Sequence, residues 1–153
     1  MRKLCALLIL VVIFGCNEPK ILEYELDMLV SSMRDAVDQK DIDKLRSQFT
    51  DDATIEMVMP AELGGNKRYA IGSYLKDVAA GWNMGIDQTY RVENLQMQIA
   101  DDGQSAVISD TVYEDALVKG QVIMSSKTEE KIEVVRVGKE IKIKKIYGDM
   151  RIL

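Results

Sequence analysis

The stretch Asp41-Ile42-Asp43-Lys44-Leu45-Arg46-Ser47-Gln48-Phe49-Thr50-Asp51-Asp52-Ala53-Thr54-Ile55-Glu56-Met57 decides how the chain is read. Asp41 is a helix-capping residue type, and Asp43 falls in the first turn, where a helix favours negative charge. Ile42, Leu45 and Phe49 follow at steps of three and four, the apolar face of a short helix. The side chains of Thr50, Asp51 and Asp52 bond readily to nearby backbone, so this triplet predicts a turn that stops the helix. Residues 53–58 then read as a short strand.

Upstream, Leu22, Leu26, Leu29, Met33 and Val37 recur at helical spacing, and Ile21 and Val30 widen that stripe. Asn17, Glu18 and Pro19 suit the opening of this helix: a capping side chain, then an acid and a proline in the first turn. Downstream, Pro60 and the Gly64-Gly65 pair make residues 59–66 a loop. Residues 67–82 read as a third helix with the stripe Ile71, Leu75, Val78 and Trp82, ended by Gly81 and Gly85. From Asp87 the period becomes two. Leu95, Met97 and Ile99 alternate with polar residues, and Asp101-Asp102-Gly103 is a hairpin turn. Residues 106–117, 121–137 and 140–147 are three more strands, separated by turns at Gly120 and Gly138. Three helices followed by long antiparallel strands make the class α+β, with the helices on one face of a sheet.

The first residues read as an address. Arg2 and Lys3 form a basic start, and residues 4–14 are an apolar run too short to span a bilayer, which takes about 20 residues. The run ends in Ile13-Phe14-Gly15-Cys16. This resembles the bacterial lipobox, in which the cysteine is acylated and becomes the new N-terminus; the alternative is a plain signal peptide with a chance cysteine. The expected organisation is a signal peptide over residues 1–15, a lipidated end and linker over 16–20, and one domain over 21–153. Of the two cysteines, Cys5 leaves with the signal, so no internal disulfide is expected and a thioether to lipid at Cys16 accounts for the other. Asn17 after the cysteine favours, by resemblance, the outer membrane of a Gram-negative envelope. Loss of Arg2 and Lys3 takes the net charge from −5 to −7, which argues against a nucleic-acid partner.

The corner from Asp41 to Glu56 resembles the "D-x-x-x-L-x-x-x-F-x-D-D-A-x-x-E" pattern of the NTF2-like (SnoaL-like) superfamily. Gly138-Lys139-Glu140-Ile141-Lys142-Ile143 is similar to that family's last hairpin. The resemblance implies three helices on a strongly bent antiparallel sheet, a conical pocket, and often a homodimer through the outer sheet face.

The same resemblance bears on activity. In the ketosteroid isomerases the residue after the glutamate matching Glu56 is the general base; here it is Met57. The oxyanion-hole tyrosine falls at Met33, and the third acid near Glu129 or Glu130. A thioether is neither base nor donor at neutral pH. The chain holds no histidine, which removes the residue that the family's dehydratases and cyclases use and also the commonest zinc ligand. The reading is therefore a domain without catalytic activity, cofactor or metal, binding a small apolar ligand or an envelope protein. An isomerase or lyase using Asp110 is the alternative. Candidate pocket residues are Met33, Met57, Met59, Trp82, Tyr90, Asp110 and Tyr113, with Met28 grouped beside the other methionines. Asp110 interrupts the apolar row Ala106, Ile108 and Val112. Buried, it would be a base or anchor; because structural ion pairs are commoner, a lysine or arginine partner, or a place on the outer face, is expected. Glu129-Glu130-Lys131 reads as a solvated face.

Overall fold

The computed structural model describes residues 19–153; the signal segment and Cys16 lie outside them. The elements are α1 (Glu23–Asp38), α2 (Ile42–Ser47), β1 (Phe49–Val58), a single 3-10 turn (Ala61–Leu63), β2 (Lys67–Ala70), α3 (Ile71–Asn83), β3 (Ile86–Ile99), β4 (Ser105–Val118), β5 (Gln121–Val137) and β6 (Glu140–Ile152). The six strands form one sheet in the order β2-β1-β6-β5-β4-β3. Register shifts in the β3–β4, β4–β5 and β5–β6 pairings mark places where extra residues bend the sheet. The helices cover one face, giving the expected α+β cone. The sheet is mixed rather than purely antiparallel, because β1 runs parallel to β6.

The corner itself differs from the sequence reading. Asp41 caps α2 as expected, its Oδ1 accepting from the Lys44 amide at 2.9 Å. The helix ends at Ser47, however, and Phe49 already belongs to β1, opposite Ile143. Thr50, Asp51 and Asp52 do not turn the chain. Their side chains are engaged elsewhere: the Thr50 hydroxyl donates to Asp52 at 2.8 Å, and Arg46 reaches Asp51 at 2.7 Å. The triplet sits where the β1–β6 register shifts, between Phe49 and Thr54. Phe49 is 4% exposed, within the core made with Leu26, Leu29, Leu45, Ile55, Leu75 and Ile143.

Two further boundaries move. Residues 67–70 are a strand, not the start of the third helix. Gly64 and Gly65, at φ +97° and +69°, fold the loop back so that Lys67 lies opposite Met57 and Ala70 opposite Thr54. At the other end of the chain β6 continues to Ile152.

The first helix starts later than expected, at Glu23, because residues 20–22 are pinned in an extended path. The Ile21 amide donates to the Gly103 carbonyl at 2.7 Å. The buried Arg136 guanidinium holds the Lys20 carbonyl at 3.0 Å and both carboxylate oxygens of Glu25, at 2.9 and 2.5 Å. Ile21 is consequently buried, and Leu22, expected on the buried stripe, is half exposed at the helix cap.

Candidate functional site

A cavity of about 200 Å³ lies between the helices and the concave face of the sheet. Its apolar wall comes from Val30, Met33 and Val37 of α1, Val78 and Trp82 of α3, and Val112, Ile132 and Ile146 of the strands. These residues face inward because helical steps of three and four, and strand steps of two, bring them to one side. Phe49 and Leu45 close the wall where α2 meets β1.

Acidic side chains from two neighbouring strands interrupt this wall. Asp110 on β4 lies directly opposite Glu130 on β5, and both line the cavity. Glu114, further along the same face of β4, lines it too and accepts from Gln88 at 2.9 Å. Among the described residues, the one cationic group on the wall is Arg34 of α1. The Oδ1 of Asp110 is fully buried and has no hydrogen-bond partner among the described residues. Burial pushes the Asp110 carboxyl above the usual range, and the Arg34 guanidinium partly offsets this. Burial, together with the charges of Asp110 and Glu114, pushes Glu130 up to about 8. Near neutral pH Glu130 therefore keeps its proton, and the two facing carboxyls titrate as a coupled pair. Tyr74 shares the wall; burial and the Glu130 and Glu114 charges raise its pKa, so its hydroxyl stays protonated. The Tyr90 hydroxyl donates to Asp38, and burial is the first cause of its raised pKa.

Of the candidate residues, Met33, Trp82, Tyr90 and Asp110 come together on this wall. Asp110 faces inward and makes no ion pair among the described residues, contrary to the structural role expected of it. Three candidates lie elsewhere. Tyr113 is one residue out of phase with Asp110 and Val112, so it stands on the opposite sheet face, with the Arg91 guanidinium 4.5 Å from its ring centre. Met57 shares the Ile55 side of β1, but its sulfur lies over β6, 2.8 Å from where a Cβ on Gly148 would be. It fills the gap left by that glycine instead of lining the cavity. Met59 has left β1 and is not on the wall. Met28 is 65% exposed on the far side of α1.

Glu114, Arg34 and Tyr74 were not among the candidates, and Glu130 entered only as one of two positions for the isomerases' third acid, in a run read as a solvated face. Strand alternation separates Glu130 from the exposed Glu129, which pairs with Lys127 at 3.1 Å. The signal in the sequence was parity: 110, 112 and 114 share one face, as do 130, 132 and 134. Glu56, the residue on which the resemblance to isomerases turned, is held by Lys145 at 2.9 Å, and this bond lowers its pKa.

No protein-family model and no curated protein matches the sequence. Solved structures do match. An NTF2-like protein from Cytophaga hutchinsonii superposes with a TM-score of 0.66 at 9% identity, over 84% of this chain and 98% of its own. The fold is NTF2-like. A conserved protein from Planctomyces limnophilus shares it with a TM-score of 0.70 at 13% identity, over 86% of this chain and 97% of that one. Hexachlorocyclohexane dehydrochlorinase LinA-type3 from Novosphingobium barchaimii shares it with a TM-score of 0.63 at 17% identity, over 85% and 87%. At these identities the likeness is one of fold. It nevertheless corrects the reading of the chain as a non-enzyme, because an NTF2-like neighbour is a dehydrochlorinase. That reading rested on the missing histidine and on Met33 and Met57. The NTF2-like cone here carries its own inward carboxyls, at Asp110 and Glu130, which those absences do not touch.

Proposed function

We propose that the domain binds a small, largely apolar molecule in the cone and moves a proton on it, as an isomerase or lyase using Asp110. The observation that carries this is the Asp110–Glu130 pair: two facing carboxyls in an apolar cavity, one with a buried oxygen that nothing bonds among the described residues. Poised acids of this kind suit general acid–base work, because a base and an acid with separated pKa values are present together near neutral pH. Asp110, ionised, takes a proton from carbon. Glu130, protonated, gives one to the oxygen or leaving group on which the electron pair ends. In an elimination the proton on Asp110 then passes to Glu130 across the strand pair. In an isomerisation Asp110 delivers it to another carbon while Glu130 takes its own proton back from the oxygen. Either route restores the starting state. Met33, Val112 and Ile132 keep the neighbourhood apolar, so each charge acts at low effective dielectric.

We also propose that acylation at Cys16 holds the domain at the bacterial cell envelope, on the order of basic start, apolar run and Gly15-Cys16.

The test of the activity is deuterium incorporation. Ring ketones and halogenated or hydroxylated rings small enough for the cavity are incubated with protein in heavy water and followed by mass spectrometry. Exchange at a carbon, lost in Asp110→Asn, is the expected result. Exchange that persists in Asp110→Asn would remove the carboxylate from the mechanism.

A further inference from the structure

We propose that the molecule bound in the cone is an organic cation, a single-ring amine whose ammonium sits among the carboxylates and aromatic rings of the wall. This rests on the reading of the cavity as a ligand site and narrows the class of ligand.

Charge is the first argument. Three carboxyls, Asp110, Glu114 and Glu130, face the cavity against one guanidinium, Arg34. Even with a proton on Glu130, two further carboxyls face the single guanidinium across an apolar wall. A bound anion adds to that negative excess, a neutral molecule leaves it uncompensated, and a cation cancels it. Asp110 Oδ1 is buried without a hydrogen-bond partner, and Glu130 has neither a hydrogen bond nor an ion pair among the described residues. Both therefore have acceptor capacity that a primary ammonium, with three donors, can fill.

The rings are the second, independent argument. Tyr74, Trp82 and Tyr90 reach the same cavity from α3 and β3. Aromatic faces attract ammonium groups through their quadrupole, most strongly where the cation is desolvated. Carboxylates alone would also suit a metal ion, but no group of ligating side chains with that geometry exists among the described residues. Carboxylates combined with rings and Val or Ile walls suit a cation with an apolar body. Size is the third: a dry cavity of about 150 Å³ accommodates benzene, so about 200 Å³ takes one ring with a short polar arm. The positive charge would also assist the proposed chemistry, since an ammonium beside a carbon acidifies the C–H bond that Asp110 attacks.

Trp82 is the only tryptophan in the chain, so its fluorescence reports on this cavity. The full-length protein is titrated with benzylamine, benzyl alcohol and benzoate near pH 7.5, following both heat and Trp82 emission. Benzylammonium is expected to bind at least tenfold more tightly than the alcohol, with a change in Trp82 emission, and benzoate not to bind. Asp110→Asn and Glu114→Gln, close in shape to the native side chains, are each expected to weaken the ammonium about tenfold and leave the alcohol unaffected. Benzyl alcohol binding as tightly as the amine would overturn the cationic class while keeping the cavity as a ligand site. Silence from all three ligands in a folded protein would overturn both, and so would amine binding that leaves Trp82 emission unchanged.

Discussion

Glu130 destabilises the fold progressively as pH rises from its unfolded pKa to its folded one. Its folded pKa is raised to about 8 from a reference of 4.5, so the folded state keeps a proton that the unfolded chain gives up. Nothing is lost below about pH 4.5, where both states are protonated; stability falls as pH rises from there toward 8. Each tenfold difference in proton affinity between the two states corresponds to about 1.4 kcal/mol, and water entering the cavity reduces the total. Glu130→Gln is therefore expected to raise the melting temperature at pH 8 by several degrees and to leave it unchanged at pH 4.5. Equal melting of the two proteins at pH 8 would mean that Glu130 is solvated. Glu25 has the opposite sign. The hydrogen bond from Arg136 lowers its pKa, so its contribution is present above about 4.5 and is lost as pH falls through the folded value. Together the two residues place maximum stability near pH 5, which a series of thermal melts from pH 3 to pH 9 checks.

At the scale of elements, the join between α2 and β1 and the pin at the start of α1 hold the helices on the sheet. Phe49 is 4% exposed at the first of these. Phe49→Ala removes a ring from a packed core and is expected to cost about 3–5 kcal/mol, a large share of the stability of a domain this size. An unchanged denaturant midpoint would take Phe49 out of the core. At the pin, Glu25→Ala leaves the Arg136 guanidinium buried without its carboxylate, and breaking a buried pair in this way costs about 3–5 kcal/mol. The accompanying readout is faster amide exchange at Ile21, whose hydrogen bond to Gly103 the pin supports. The helical stripes were legible in the sequence because Leu26, Leu29, Ile71 and Leu75 repeat at 3.6 residues and end buried. β2 was not, because four residues at a charged sheet edge carry no period, and Lys67 and Arg68 are as compatible with a helix start as with a strand. The Thr50-Asp51-Asp52 triplet misled for a related reason: its turn-forming side chains are satisfied by one another and by Arg46, which leaves the backbone free to extend. Half of the site was hidden because polar runs such as Glu129-Glu130-Lys131 do not reveal which strand face is buried until the pairing partner is known. Asp110 could be seen only because its neighbours at 106, 108 and 112 are apolar.

For the whole molecule, the envelope address and the cone make separate claims. Cys16→Ser is expected to release the protein from the membrane fraction or leave it unprocessed, with the fold unaffected, since residues 19–153 form the domain without it. An unlipidated wild-type N-terminus, measured by intact mass, would end the anchoring proposal and leave the cavity untouched. The cone, in turn, depends on the sheet bending so that β4 and β5 carry their acids beneath α1 and α3. The central claim is that Asp110 and Glu130 face each other in an apolar enclosure and titrate as a coupled pair, Glu130 keeping its proton near neutral pH. Its most direct test is a carboxyl-carbon NMR titration of the two side chains in the folded protein. Glu130 is expected to keep its proton to about pH 8, and its titration is expected to move down in Asp110→Asn, where the neighbouring charge is gone. Both carboxyls titrating near 4, independently of each other, would contradict it.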